Sequence, residues 1–382
     1  MTEPQQQESL PSTVDTMAAA VLVVFAAAEA RLVTGSAVLV RAAIATPALA
    51  SSLRGRLDRL ALETSHEVMA KVHTVATQVA ATAVRNGDAA AAREIRALEQ
   101  SVKDWAASPV SKILPHDVTA SAAIAEDLGS RLAAAAQRIT RYSDDAYRAA
   151  VASGALVQIN PARDIVRQSF QAATPQEAQA QAWRELTSRG VTGFTDKNGR
   201  EWNLATYVEM ATRTATQRAY NASHRDRLTL AGINYFTIST TGRPCPLCAP
   251  WEGMVLADTP GEVTEDGHTF TVTATIEEAT AAGLFHPNCK HTLTAYLPGF
   301  TQLKPNQWTA DDEAKYRDTQ KLRALERTVR QARQVQAAAL SPADRAAAGR
   351  DVRAAQANVR AFTAQTGLNR RTRREQLNLG NK

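Results

Sequence analysis

Arg243-Pro244-Cys245-Pro246-Leu247-Cys248 and, further on, Phe285-His286-Pro287-Asn288-Cys289-Lys290-His291 are the motifs around which this chain is organised. Both fall between Ser239 and Gly299. All 3 cysteines of the 382 residues are in them, and 3 of the 7 histidines lie between positions 268 and 291, so metal-type donors are concentrated in a small part of the chain. Two thiolates separated by two residues can wrap one ion, and a second pair from a distant turn closes a tetrahedron. Cys245, Cys248 and Cys289 are therefore the expected ligands. The fourth is His286, which makes His-x-x-Cys, or His291, which makes Cys-x-His; spacing does not choose between them. The expected ion is zinc in a structural role, because four protein ligands leave no position for water.

Three other readings compete. The cysteines can be small buried residues of a turn set by Pro244 and Pro246. A disulfide would leave one thiol over, and no signal peptide is read at the N-terminus, so reduced thiols are expected. Pro-Cys-x-x-Cys is also half of the zinc deaminase signature. The other half is His-x-Glu, and no His-x-Glu occurs in the sequence; His66-Glu67 is adjacent, not spaced. That chemistry would lack its general acid/base.

Outward from the motifs, the composition is rich in alanine and poor in aromatic residues (5%). Little aromatic area to bury argues for elongated helices attached to one compact module. The fold class expected is mainly α with a small α+β module: a long N-terminal helical region, a compact zinc-knuckle-like module and C-terminal helices. The segments are 1–11, a disordered N-terminus; 12–173, a helical arm; 174–300, the module with the Cys/His site; 301–308, a linker; 309–366, charged helices; and 367–382, a basic tail.

The helical arm is expected to break at Gly35, Pro47, Gly87, Pro109, Pro115, Gly129 and Gly154. Met17–Ala28 is the one apolar run resembling a membrane signal. Twelve residues are too few to span a bilayer, and Glu3, Glu8 and Asp15 precede it, so it reads as a buried or partner-facing helix, with no membrane contact. His66 and His73 read as helix-face residues, and this half shows no catalytic constellation.

Thr174-Pro175-Gln176-Glu177 carries the signature of a helix start, and Asn198-Gly199 signals a hairpin between aromatic-bearing arms. A helix follows from about Asn203 to Gly232, with Glu209 and Arg213 spaced as an i,i+4 pair. Strand-like Tyr235–Thr240 then leads into the first cysteine pair. Trp251–Val255 and Thr269–Thr273 read as short strands, and Glu277–Ala281 as a short helix ending at Gly283. Ser341-Pro342-Ala343-Asp344 restarts a C-terminal helix that Gly367 ends.

Residues 301–382 hold 17 Lys+Arg against 8 Asp+Glu, a balance of +9 in a chain of net +6, so the remainder is −3. Arg370, Arg371, Arg373 and Arg374 form a tail suited to phosphate or an acidic surface, or else a solvated end.

The hairpin Gly193–Trp202, Tyr207-Val208-Glu209-Met210 with Arg213-Thr214, Cys245-Pro246-Leu247-Cys248-Ala249-Pro250-Trp251-Glu252-Gly253, and Gly283-Leu284-Phe285-His286-Pro287-Asn288-Cys289-Lys290-His291 together resemble the phage minor capsid protein 2 family. That family in turn is similar to the Mu-type F head-morphogenesis proteins of tailed phages. The resemblance covers roughly Ala180–Gly299. It implies a non-enzymatic minor structural protein of a phage head, made in the host cytoplasm and located in the virion, in the capsid interior or at the portal vertex. The implied partners are the portal protein and/or the major capsid protein, and packaged DNA bound without sequence preference through the arginine tail. The alternative is a zinc-dependent enzyme, a hydrolase or an effector delivered with phage DNA. There the three cysteines would hold zinc, one histidine would be free, and Glu252 or Glu209 would act as base.

Overall fold

The computed structural model describes residues 10–101, 119–152, 183–195, 199, 201–240, 245–304 and 308–377. The expected disorder before position 10, the breaks at Pro109, Pro115 and Gly154, the Thr174 helix start, the Asn198 turn residue, Arg243-Pro244 and the Pro305-Asn306 linker lie outside them. The chain is mainly helical with a small mixed sheet, as its composition implies. It divides into two compact units: Met1–Ala18, His73–Gly129 and Met210–Arg317 form the first, and Ala19–Val72, Ser130–Glu209 and Asp318–Lys382 the second.

The N-terminal half is α1 (Leu10–Ala45), α2 (Leu53–Ser101), α3 (Thr119–Arg138) and α4 (Tyr142–Ala152). Pro47 does separate α1 from α2, since it removes an N–H and clashes with the preceding turn. Gly35, Gly87 and Gly129 do not break their helices, contrary to expectation. At Gly35 a Cβ would come within 2.8 Å of a Leu60 methyl, and at Gly87 it would collide with the Tyr220 carbonyl. These glycines mark close packing, whose gain exceeds their helix penalty of about 1 kcal/mol. His66 and His73 are exposed on α2, as read from the sequence.

α1 outruns the apolar stretch that marked it. Thr13–Ala45 is the one helical segment among the described residues long and apolar enough to cross a membrane, with mean hydropathy 1.8, and half of that window is buried within the protein. The helix is thus long enough to span a bilayer, contrary to the expectation from the twelve-residue run Met17–Ala28. Glu29, inside this segment, is buried and accepts hydrogen bonds from Val191 N (2.9 Å) and Asn203 Nδ2 (2.6 Å). Burial pushes its carboxyl above the usual range.

β1 (Thr192–Thr195) and β2 (Glu201–Asn203) form the expected hairpin, with Phe194 opposite Trp202. α5 (Leu204–Leu230) follows. Arg213 on α5 reaches Asp15 at 2.7 Å.

The first unit also holds a five-stranded sheet of β3 (Phe236–Ile238), β4 (Val255–Ala257), β5 (Gly261–Glu265), β6 (His268–Thr275) and β7 (Leu293–Ala295), in the order β5-β6-β4-β3-β7, whereas the β1–β2 hairpin belongs to the second. Trp251–Met254, expected as strand, is a helical turn and bend, and the strand starts at Val255. Pro250 in the first turn and Gly253 at φ 79° explain the difference. α6 (Ile276–Ala281) begins at once after β6 through a capping box between Thr275 and Glu278, and it ends before Gly283 as anticipated. One face of the sheet packs Phe236, Ile238, Leu256 and Leu293 against Ile95 of α2 and Leu228 of α5. The other face stacks Tyr235, Phe270 and Tyr296, with ring centroids 4.9 and 5.1 Å apart.

In the second unit, which holds α7 (Ala310–Ala337) from Asp318 onward, α7 and α8 (Pro342–Thr366) bury Leu322, Val329, Ala355, Val359 and Phe362 together, at the i, i+4 and i, i+7 spacing of an amphipathic stripe. Ser341 caps α8 by accepting from Asp344 N at 3.1 Å, Pro342 fills its first turn, and Gly367 ends it at φ 68°.

Candidate metal centre

Three neighbouring strands bring the site together. β3 is antiparallel to both β7 and β4, so the chain leaving β3 lies at the same end of the sheet as the chain entering β7 and β4. Cys245 and Cys248 come after β3, Cys289 and His291 precede β7, and Glu252 precedes β4. Ser239 N donates to Thr292 O at 2.9 Å and Thr292 N to Ser239 Oγ at 3.0 Å, fastening the first pair of segments next to the site. The first cysteine pair is a tight turn in which Cys248 N and Ala249 N both donate to Cys245 O, at 3.1 and 2.9 Å. The second loop closes through Cys289 N to His286 O at 2.9 Å, with Phe285 and Asn288 at φ 57° and 66°. Asparagine tolerates that backbone region; a bulky Phe285 there is strained, on the order of 1–3 kcal/mol.

All five sequence-selected metal residues come together. Cys245, Cys248 and His286 form one group, and Cys248, Cys289 and His291 another, with donor atoms in each within 4.8 Å of one another. Cys248 belongs to both. Cys245 Sγ is 2.8 Å from His286 Nε2, Cys248 Sγ is 3.4 Å from Cys289 Sγ, and Cys289 Sγ is 3.3 Å from His291 Nδ1. Cys248, Cys289 and His291 are buried, while Cys245 and His286 are half-buried.

The two imidazoles are held from behind. His286 Nδ1 donates to Pro287 O at 2.8 Å, and His291 Nε2 to Glu252 Oε1 at 2.8 Å, both partners of the second pair being 3% exposed. In neutral rings those protons leave the opposite nitrogens as lone pairs aimed at sulfur. Three thiols and two such nitrogens, in two groups joined at Cys248, are a donor set of the kind that suits zinc. Asn221 of α5 donates to His291 O at 3.3 Å and anchors that residue's backbone.

The electrostatics agree with the geometry. A hydrogen bond from the Cys248 thiol pulls Cys245 down to about 4, with His286 adding to it. The same thiol, with His291, pulls Cys289 down to about 4. Cys248, between two sulfur neighbours, is pushed up. The Cys245 thiolate raises His286. Burial opposes charge on His291, but Cys289 and Glu252 outweigh it and raise it.

Sequence reasoning missed the roles of Glu252, Asn221 and Glu94. Glu252 had been considered as a general base, whereas it stands directly behind His291. Glu94 of α2 accepts from Ala295 N at 2.8 Å and meets buried His224 at 2.8 Å, tying β7 to two helices. No spacing in the sequence signals these contacts, because each joins residues far apart in the chain.

The arginines of the tail are divided in their surroundings. Arg370 makes two hydrogen bonds to Glu375 (2.6 and 2.7 Å), and Arg374 lies 3.7 Å from Glu326; both acids are buried. Arg371 and Arg373 are exposed.

The family model for phage minor capsid protein 2 matches residues 11–364. That is nearly the whole chain, well beyond the stretch from Ala180 to Gly299 that carried the resemblance. No curated protein and no solved structure matches.

Proposed function

This chain belongs to the phage minor capsid protein 2 family, and from that premise we propose that it acts at the portal vertex of a tailed-phage head, in head morphogenesis, DNA packaging or ejection. The coarser statement, a minor structural protein of the phage particle, follows from the family itself. The helical arm, residues 12–173, is the part assigned to the portal or major capsid protein, and residues 174–300 are the module that a structural zinc clamps. The observation that carries the reading is the extent of the family match, which takes in arm, module and C-terminal helices together.

Within the module, Cys245, Cys248, Cys289 and His291 are the four ligands we assign, with Glu252 holding His291 in the tautomer that leaves Nδ1 for the ion. Zinc there would supply cross-linking of three loops, which the short strands around it cannot supply. His286 is then a neighbour of Cys245, not a ligand. A surplus of protein donors favours a closed structural site over one that keeps a water for catalysis, so we read the protein as non-enzymatic.

Cross-linking mass spectrometry on purified particles tests the placement. Cross-links from the arm to the portal protein, at a few copies per particle, are expected; a protein absent from particles, or linked solely to the tail, sinks the proposal. Metal content of the purified chain tests the clamp: about one zinc per chain, lost in Cys289→Ser, is expected from a four-ligand site.

A further inference from the structure

The outward face of α8 is built of two residue types. At 100° per residue, the positions from Ala343 to Ala364 that point away from the buried stripe span about a third of the helix circumference. They are arginine at Arg350, Arg353 and Arg360 and alanine everywhere else, Ala346, Ala357 and Ala364 among them, and all are exposed. Arg353 and Arg360 are two turns apart, and the three arginines extend over about 15 Å of helix. Among the described residues none of the three guanidinium groups has a hydrogen bond or ion pair.

The acids of this part of the chain are turned elsewhere. Glu326 and Glu375 are buried, facing Arg374 and Arg370. Asp344 is occupied by Ser341 and Arg184. Asp351, though exposed, falls about 100° round the helix from Arg350 and about 160–180° from Arg353 and Arg360. Two carboxylates, Glu326 and Glu375, thus pair with tail arginines, while the α8 face presents three exposed arginines among side chains one carbon long.

We propose that this α8 face is a phosphate-binding surface for duplex DNA, and that it, in preference to the four-arginine tail, is where the chain meets nucleic acid. Guanidinium matches phosphate in geometry as well as charge, and the alanines let a smooth rod approach closely without desolvating any acid. A protein partner is less well served, since the face offers no aromatic or large aliphatic anchor. Binding is sequence-independent, because nothing on the face can read base edges selectively. The choice of DNA rests on the reading of the chain as a phage head protein.

The test uses the full-length zinc-loaded protein and fluorescence anisotropy with a 30-base-pair duplex of arbitrary sequence, over a series of salt concentrations. Three proteins are compared: wild type, R350A/R353A/R360A, and R59A/R96A/R218A, which removes equal charge from exposed arginines elsewhere. Arginine and alanine have similar helix propensity, so α8 should persist, and circular dichroism checks it. Wild type should bind at micromolar affinity or weaker, and the α8 variant should lose about 3 from the slope of log K against log salt. The inference is overturned if wild type does not bind, if both variants lose equally, or if R371A/R373A loses more than the α8 variant. It is likewise overturned if polyglutamate competes as well as DNA at equal charge. Absence of the protein from particles would refute the head assignment instead, and the two failures are thus separable.

Discussion

The Cys/His module and the α7–α8 hairpin hold their shapes by opposite means. In the hairpin each element is specified locally: a serine cap, a first-turn proline, a terminating glycine and an apolar stripe at helical spacing. In the module the strands β3, β4 and β7 are three residues each, and the loops between them carry a strained Phe285 and a crowd of thiols. Short strands give few ladder bonds, so the module depends chiefly on long-range contacts, whereas the hairpin adds such contacts, Trp183 to Ala338 O and Arg184 to Asp344, to helices already specified locally. Local rules make a region robust and legible; a convergent polar centre makes it conditional on what fills that centre.

The sharpest way to break the contrast is to strip the zinc proposed for the module. Chelation, or Cys289→Ser, should cost the module several kcal/mol, with the structural-zinc scale of about 10–16 kcal/mol as an upper bound. Hydrogen exchange should show residues 236–297 losing protection while α7 and α8 keep theirs. Equal loss in both regions would erase the distinction.

The complementary break is Phe362→Ala, which removes the largest side chain of the hairpin core. It should cost about 3–5 kcal/mol. Protection in α7 and α8 should fall while zinc content stays at the wild-type level.

Glu252→Gln sharpens the comparison within the module. Its expected effect is about a 10–100-fold loss of zinc affinity, read by competition with a chromophoric chelator. His286→Ala should leave affinity near wild type, and a larger loss there than in His291→Ala would exchange the two histidines' roles.

Ser341→Ala removes one local device from the hairpin and should cost about 1 kcal/mol in a urea titration.

The smallest effect is Glu375→Gln. Burial would raise this carboxyl, but its two hydrogen bonds from Arg370 win and hold it below the usual range. A lowered folded-state pKa adds stability above the unfolded value of about 4.3 and loses it as pH falls through the folded one. The gap between wild type and variant should be full at pH 7 and close as pH falls through the folded value. A gap that persisted into acid would mean that Glu375 acts through shape, not charge.

These contrasts also explain what could be read from the sequence. The caps at Ser341 and Gly367, the helix before Gly283 and the five donor residues were legible because each is a pattern within a few residues. Gly35 and Gly87 misled because a glycine that admits a neighbouring helix looks, in sequence, like one that ends a helix. Glu252 stood three residues after a cysteine of the motif, yet its pairing with His291 depends on β3, β4 and β7 being neighbours, which no local pattern states. The tail arginines were read by count, and count does not reveal that two of them face buried acids.

The sheet order leaves β5 at one margin, with no further strand beyond it among the described residues. That strand reads Gly261-Glu262-Val263-Thr264-Glu265, and both glutamates are exposed. Where copies are concentrated at one place in a particle, an open margin invites a second copy to zip onto it and begin a fibre. Two carboxylates on five residues would repel the matching strand of a neighbour, a charge placed against edge-to-edge pairing.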